Sequence, residues 1–157
     1  MTTTHESISA AFDLQAPCDV DTTALHAYWR GKCRGRAMPA RADIDPAEIK
    51  PLLPYVMLFD AATAERGARI RLLGEAIVQF AGRNRTGEPA SAGLQPAAAA
   101  AFGHILDSVA AGRPRFRAGK AWWWRERHYC DFEACFLPLS PDGRHVDIIL
   151  GAAKFSI

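Results

Sequence analysis

Long hydrophobic runs are missing from this chain. None approaches the ~18 consecutive apolar residues of a membrane-spanning helix, and Met1-Thr-Thr-Thr-His-Glu-Ser-Ile lacks the basic-then-apolar order of a secretory signal. The expected compartment is the cytoplasm, with no membrane partner. Cysteine is sparse: Cys18, Cys33, Cys130 and Cys135 form no ladder of regular spacing. Free thiols are expected in a reducing compartment. Cys130 and Cys135 fall on opposite faces of one predicted strand, too far apart in direction to bridge. No Cys-x-x-Cys pair is present, so His128, Cys130 and Cys135 do not make a structural zinc site. An excess of one charge sign is also lacking. The net charge of +2 does not by itself require a nucleic acid or a membrane surface. Gly82-Arg-Asn-Arg-Thr-Gly87 lacks the Lys-Ser/Thr ending of a phosphate loop. No nucleophile–base pair stands out, and the chain is read as a non-enzyme.

What is present is a single-domain length of 157 residues with 49% apolar content, enough for one core. Residues 1–20 show no period and read as a flexible tail. Asp21 or Thr22 can cap a helix over 21–35, with Leu25, Tyr28, Trp29 and Cys33 on one face and Gly35 at its end. Asp45-Pro-Ala-Glu48 opens a short second helix that Pro51 and Pro54 terminate. Tyr55–Asp60 and Ala68–Leu72 read as a hairpin, and Gly74–Ala81 and the alanine-rich Leu94–Ala111 as helices. Three strands follow, over 115–124, 128–139 and 146–155. Helix, two strands, helices and three strands make an α+β domain with an antiparallel sheet.

Trp122-Trp123-Trp124 stands out. On a continuous strand Trp122 and Trp124 face one way and Trp123 the other. Arg113, Arg115, Arg117, Lys120, Arg125 and Arg127 surround these rings, and Arg30, Lys32, Arg34, Arg36 and Arg41 form a second basic group. Basic residues interleaved with aromatics can hold single-stranded nucleic acid, and strand 113–127 is the alternative functional surface on that account. The simpler reading is charge alternation on a solvated face, with Asp131 and Glu133 pairing across to the arginine-rich strand. His104 is an isolated imidazole on the long helix and reads as solvated rather than as a haem ligand.

Several segments recur together in a known family. They are Trp29 with Arg34-Gly35; Pro39, Arg41, Asp43, Asp45 and Pro46; Leu52-Leu-Pro54; Arg71 to Ile77; Gly82 to Gly87; and Leu137 to Gly143. In order and spacing they resemble an alphaproteobacterial, single-domain branch of the PAS domain superfamily, over residues 24–157. The resemblance implies a five-stranded antiparallel sheet with helices on one face and an additional N-terminal helix, forming one domain over 21–157. It implies a non-catalytic sensory or regulatory module in bacterial signal transduction, acting through ligand binding or protein–protein interaction. The Asn-Cys-Arg-Phe-Leu-Gln run of flavin-binding light sensors is absent, and no cofactor is evident. Because the chain ends after the last strand, a separate signalling protein is the expected partner, with a homodimer as the expected assembly. A pocket for a small-molecule ligand would lie between the inner sheet face and the helices after Gly74. It would be lined by Leu72, Ile77, Phe80, Phe102, Leu106, Trp122, Trp124, Phe132, Phe136 and Ile148. Tyr28, Trp29 and Trp123 are the expected interface residues. No catalytic or metal-binding residue is expected.

Overall fold

A computed structural model of the chain describes residues 11–123 and 130–156. Its centre is a pair of nine-residue strands, β5 (Asp131–Leu139) and β6 (Ile148–Ser156). Around them run β1 (Ala11–Leu14), β2 (Val56–Asp60), β3 (Arg69–Leu73) and β4 (Arg115–Lys120). The sheet order is β1-β4-β5-β6-β2-β3, and every neighbouring pair is antiparallel. The helices are α1 (Val20–Cys33), α2 (Glu75–Ala81) and α3 (Pro96–Ala110), with a 3-10 segment over Pro46–Tyr55. No helix among the described residues is long and apolar enough to cross a membrane.

Strand alternation divides the buried side chains into two cores. Cys135, Leu137 and Leu139 of β5, Ile148, Leu150 and Ala152 of β6, and Val56 and Leu58 of β2 share the outer face. Phe132, Ala134, Phe136, Ile149, Ala153, Met57 and Phe59 share the inner face. The outer face packs against α1 and the 3-10 segment, and the inner face against α2 and α3. Both faces are covered, which is why the central strands read as continuous apolar runs.

Of the tail expected over residues 1–20, residues 1–10 lie outside the described residues. Ala11–Leu14 instead pairs with β4 in the register Ala11↔Gly119 to Leu14↔Phe116, giving a sixth strand. Its alternation is too short to register as a period, and what orders it is the long-range pairing with Arg115 and Arg117 described below.

The cap of helix α1 is Asp19, two residues before the expected Asp21. The Asp19 side chain accepts from the N–H groups of Asp21 (2.8 Å) and Thr22 (3.3 Å). The helix ends through Arg34 and Gly35, both in the left-handed region at φ 50° and 81°. Two contacts fasten it to the sheet. A single Glu133 oxygen accepts from Cys18 N–H (3.0 Å), Asp19 N–H (2.8 Å) and the Thr22 hydroxyl, so a carboxylate sits at the positive end of the helix. Thus Asp131 behaves as the charge pattern suggests, bonding Lys120 at 2.7 Å, whereas its neighbour Glu133 anchors a helix. At the other end, the buried Trp29 indole N–H donates to Pro138 O at 2.8 Å. A strand residue's N–H and C=O point the same way. The donor that Pro138 lacks would therefore face α1 too, and no ladder bond is lost.

Around the prolines the second helix is two short 3-10 helices: the first breaks at Ile49 (φ −127°), before Pro51, and the second ends at Tyr55, just after Pro54. Each proline removes an N–H and disfavours α geometry in the residue before it, so a regular α ladder cannot form. Gly74 then lets α2 start hard against this segment: a Cβ there would lie 2.4 Å from Pro54 O.

Replacing Glu133 with Ala is expected to lower unfolding stability by about 2 kcal/mol, because a charged acceptor of three donors is lost. Urea denaturation checks the magnitude. Hydrogen exchange should accelerate first in the opening turn of α1, and unchanged exchange there would show that the helix is held by its apolar face alone.

Candidate ligand-binding cavity

Between the inner sheet face and the layer formed by α2, α3 and residues 85–94 lies a half-enclosed cavity of about 390 Å³. Its floor is Met57 and Phe59 of β2, Phe132, Ala134 and Phe136 of β5, and Ala153 and Phe155 of β6. Its roof includes Ile77 and Ala81 of α2, and Ala98, Ala101, Phe102 and Ile105 of α3. Trp122 and Trp123 close one side with Ala11 of β1. Roof and floor meet through large rings, and the alanines between those rings leave space beside the contacts. Phe102 meets Phe59 and Phe136 edge-on with centroids 5.5 and 5.7 Å apart, and Trp123 meets Phe132 at 4.7 Å.

The described lining contains two charged side chains, Arg85 and Arg117, and no carboxylate. Each belongs to a group of two arginines sharing one acid. Glu88 accepts from Arg83 at 2.7 Å and from Arg85 at 3.3 Å. Asp13 accepts from Arg115 at 2.7 Å and from Arg117 at 3.1 Å. In both groups the arginine at the cavity holds the longer bond. The Arg83 guanidinium leads in keeping the Glu88 carboxyl below its ordinary pKa. At Asp13 burial pushes upward, but Arg115 and Arg117 together outweigh it and hold the carboxyl below its usual value.

Ile77, Phe102, Trp122, Phe132 and Phe136, expected at a pocket, do line this cavity. Trp124 lies outside the described residues. Leu106 belongs to the inner core behind the lining. Phe80 stacks on Phe155 at 4.1 Å and is absent from the lining. Two expectations have the wrong face. Ile148 packs in the outer core. Leu72 is 43% exposed, because β3 carries a bulge: Leu58 pairs with Leu72 but Phe59 pairs with Ile70, skipping Arg71. The skipped residue reverses the alternation, so Ile70 and Leu73 face the cavity and Leu72 does not.

The interface candidates are also engaged within the fold. Trp29 is buried against β5, and the Tyr28 hydroxyl donates to Glu48 at 2.7 Å and accepts from Asp45 N–H at 2.9 Å. Trp123 lines the cavity: alternation counted on from the inward Arg117 reaches it, and Trp122, beyond the end of β4 at Lys120, lines the cavity as well. The basic groups are similarly committed: Lys32 pairs with Glu48, Arg36 with Asp43, and Arg41 donates to Ile44 O. His104 lies exposed on α3 away from the lining. Among the described residues no cluster of acids, histidines and cysteines could hold a metal ion. The described cysteines are unbridged, and none of them lines the cavity. Burial pushes the Cys135 thiol up to about 12.

A sheet in this strand order, helices across its inner face and the cavity beneath them agree with a family model, the PAS domain, that matches residues 19–154. The chain belongs to the PAS domain family. Among solved structures this PAS domain is similar to the Rhodobacter sphaeroides LOV protein, at 14% identity and TM-score 0.47 over 71% of this chain and 68% of that one. It is also similar to an RNA-binding light-oxygen-voltage receptor, at 11% identity and TM-score 0.51 over 92% of this chain and 37% of that one. A third is the light state of the blue-light photoreceptor Aureochrome1 LOV, at 9% identity and TM-score 0.45 over 70% of this chain and 86% of that one. At these identities the likeness is one of fold, and the chain spans little more than a third of the RNA-binding receptor. No curated protein matches it. Family membership supports a sensory or regulatory role.

Two measurements check the chemistry of the site. At pH 8, Cys18 is expected to react with iodoacetamide in minutes and Cys135 only when the protein unfolds, as read by mass-spectrometric mapping; early labelling of Cys135 would contradict its burial. Asp13 has a depressed folded pKa, so its contribution is complete above its ordinary value of 3.8 and is lost as pH falls through the lower folded value. Hydrogen exchange of the β1 amides should therefore rise in acid more steeply than local chemistry requires. Asp13→Asn should raise it at neutral pH and flatten the profile.

Proposed function

We propose that this PAS domain is a non-catalytic sensory module that binds a small molecule in the inner-face cavity and reports its presence to another protein. The observation that carries the reading is the cavity itself. Protein interiors rarely leave voids larger than a water molecule, and this space of about 390 Å³ is half-enclosed, so water or a ligand can enter it. Its aromatic and alanine walls offer water few partners, while the size falls within the ~300–1,000 Å³ range of small-molecule sites.

A ligand there touches elements that lead outward. Ala11 of β1 is part of the wall, and Asp13 of the same strand bonds Arg117, another wall residue. A short segment joins β1 to α1, whose first turn Glu133 holds. Occupancy would favour one arrangement of β1 and α1 over others, and a partner that prefers that arrangement would read it. Within the described part of strand 113–127 nucleic acid gains nothing from this geometry, since Arg115 and Arg117 are paired to Asp13 and the rings of Trp122 and Trp123 line the cavity; Arg125 and Arg127 lie outside the described residues.

Native mass spectrometry of freshly purified protein, compared with its denatured mass, tests the proposal. A retained small molecule in the wild type and none in Ala101→Trp, which places a ring in the cavity, is the expected result. If the wild type carries nothing and no compound in a small-molecule library raises its melting temperature, the sensory cavity is excluded. Equal retention in a folded Ala101→Trp would place the ligand elsewhere.

A further inference from the structure

We infer that the ligand of this cavity is a flat aromatic compound bearing one anionic group, a carboxylate or phosphate, and that Arg85 receives the charge. The inference rests on the ligand-binding reading above and narrows it to a chemical class.

The body of the ligand follows from the walls. Phe59, Phe102, Phe132, Phe136, Trp122 and Trp123 present ring faces and edges to one space, an environment that favours a planar ring system over a flexible chain. The charge follows from the arginine groups. Each has two guanidinium groups against one carboxylate, so each retains one positive charge, and no described lining residue is acidic. A neutral ligand would bury part of that charge without an answering group. An anion supplies one, in a setting where a charged hydrogen bond is strong.

Arg85 is the better placed of the two. Arg83 holds Glu88 by the shorter bond, leaving Arg85 at 3.3 Å and able to turn to a second acceptor. A guanidinium has five N–H donors, so it can keep Glu88 and take a ligand oxygen together. The turn beneath it is shaped for this residue. Gly93, also in the wall, has φ 79°, and a Cβ built there would lie 2.7 Å from Arg85 Cζ. Any other residue at 93 displaces the guanidinium. Arg117, by contrast, sits opposite Asp13 in the β1–β4 register, where it ties β1 to the sheet and adds positive potential.

The test is calorimetric titration of the intact chain at low ionic strength with 2-naphthoate and with 2-naphthalenemethanol, which share a ring system and differ in charge. The naphthoate is expected to bind at least about tenfold more tightly, the ratio one charged hydrogen bond provides. Arg85→Gln should remove most of that ratio by weakening the naphthoate and leaving the alcohol unchanged. Gly93→Ala should do the same while keeping the charge present, provided its melting temperature confirms folding. Arg117→Gln should reduce the ratio less. Equal affinity for the two probes overturns the anion assignment and leaves the ligand-binding cavity standing. A ratio that persists in Arg85→Gln overturns the role of Arg85. Binding of neither probe at millimolar concentration overturns this inference, and the library and mass measurements then decide the broader reading.

Discussion

The strict two-residue alternation of β5 and β6 is the constraint from which the rest of this molecule follows. Leu137, Leu139, Leu150 and Ala152 point one way and Phe132, Phe136, Ile149 and Ala153 the other, so one pair of strands has to satisfy two cores. The two are packed differently. The outer core is closed by aliphatic side chains and by Trp29, which brings a hydrogen bond as well as a ring. The inner core mixes large rings with alanines and encloses space. A one-residue slip of β5 against its neighbours would exchange these faces and put the tryptophan-docking carbonyl of Pro138 under the wrong layer.

Most of the fold can be read from residue pattern. Asp45-Pro46, the alanine-rich helix and the Ser140-to-Gly143 turn lie where their chemistry puts them, and the order of elements is enough to reach an antiparallel α+β sheet. What pattern does not carry is direction within uniformly apolar strands. Ile148-Ile-Leu150 offers no polar residue to say which side is out, and the strand's other face is equally buried. At β3 the alternation is visible but misleading, because the bulge at Arg71 reverses it halfway along. The bulge is set by pairing with β2, a long-range fact absent from five residues of local sequence. Trp123 illustrates the same limit, since its direction follows from Arg117 rather than Phe116 facing inward, a choice set by pairing with β5.

The cavity was legible only in part. The rings of Phe102, Phe132 and Phe136 are obvious candidates for burial, and burial and lining a pocket look alike in sequence. The signal that separates them lies in the small residues. Ala90, Ala92, Gly93, Ala98 and Ala101 fall within a dozen positions and face the same rings. Alanine is the best helix former, so the run in α3 reads naturally as helix propensity. Its second consequence is missing volume: five side chains that contribute at most one methyl group each leave space beside the rings of the inner face.

The family match begins at Asp19, after β1. Yet β1 provides a piece of the cavity wall through Ala11 and, through Asp13, the acid that balances the β4 arginines. Without that carboxylate, Arg115 and Arg117 would lie close together on one strand with like charges. With it, the strand edge of β4 is covered and one positive charge remains. The added strand therefore sets the electrostatics of the site as well as its shape. It also makes the cavity and the chain's N-terminal elements interdependent. Any change that draws Arg117 toward the cavity weakens its bond to Asp13, and any displacement of β1 removes Ala11 from the wall. The coupling is reciprocal, as thermodynamic linkage requires: whatever binds more tightly when β1 is docked also holds β1 in place.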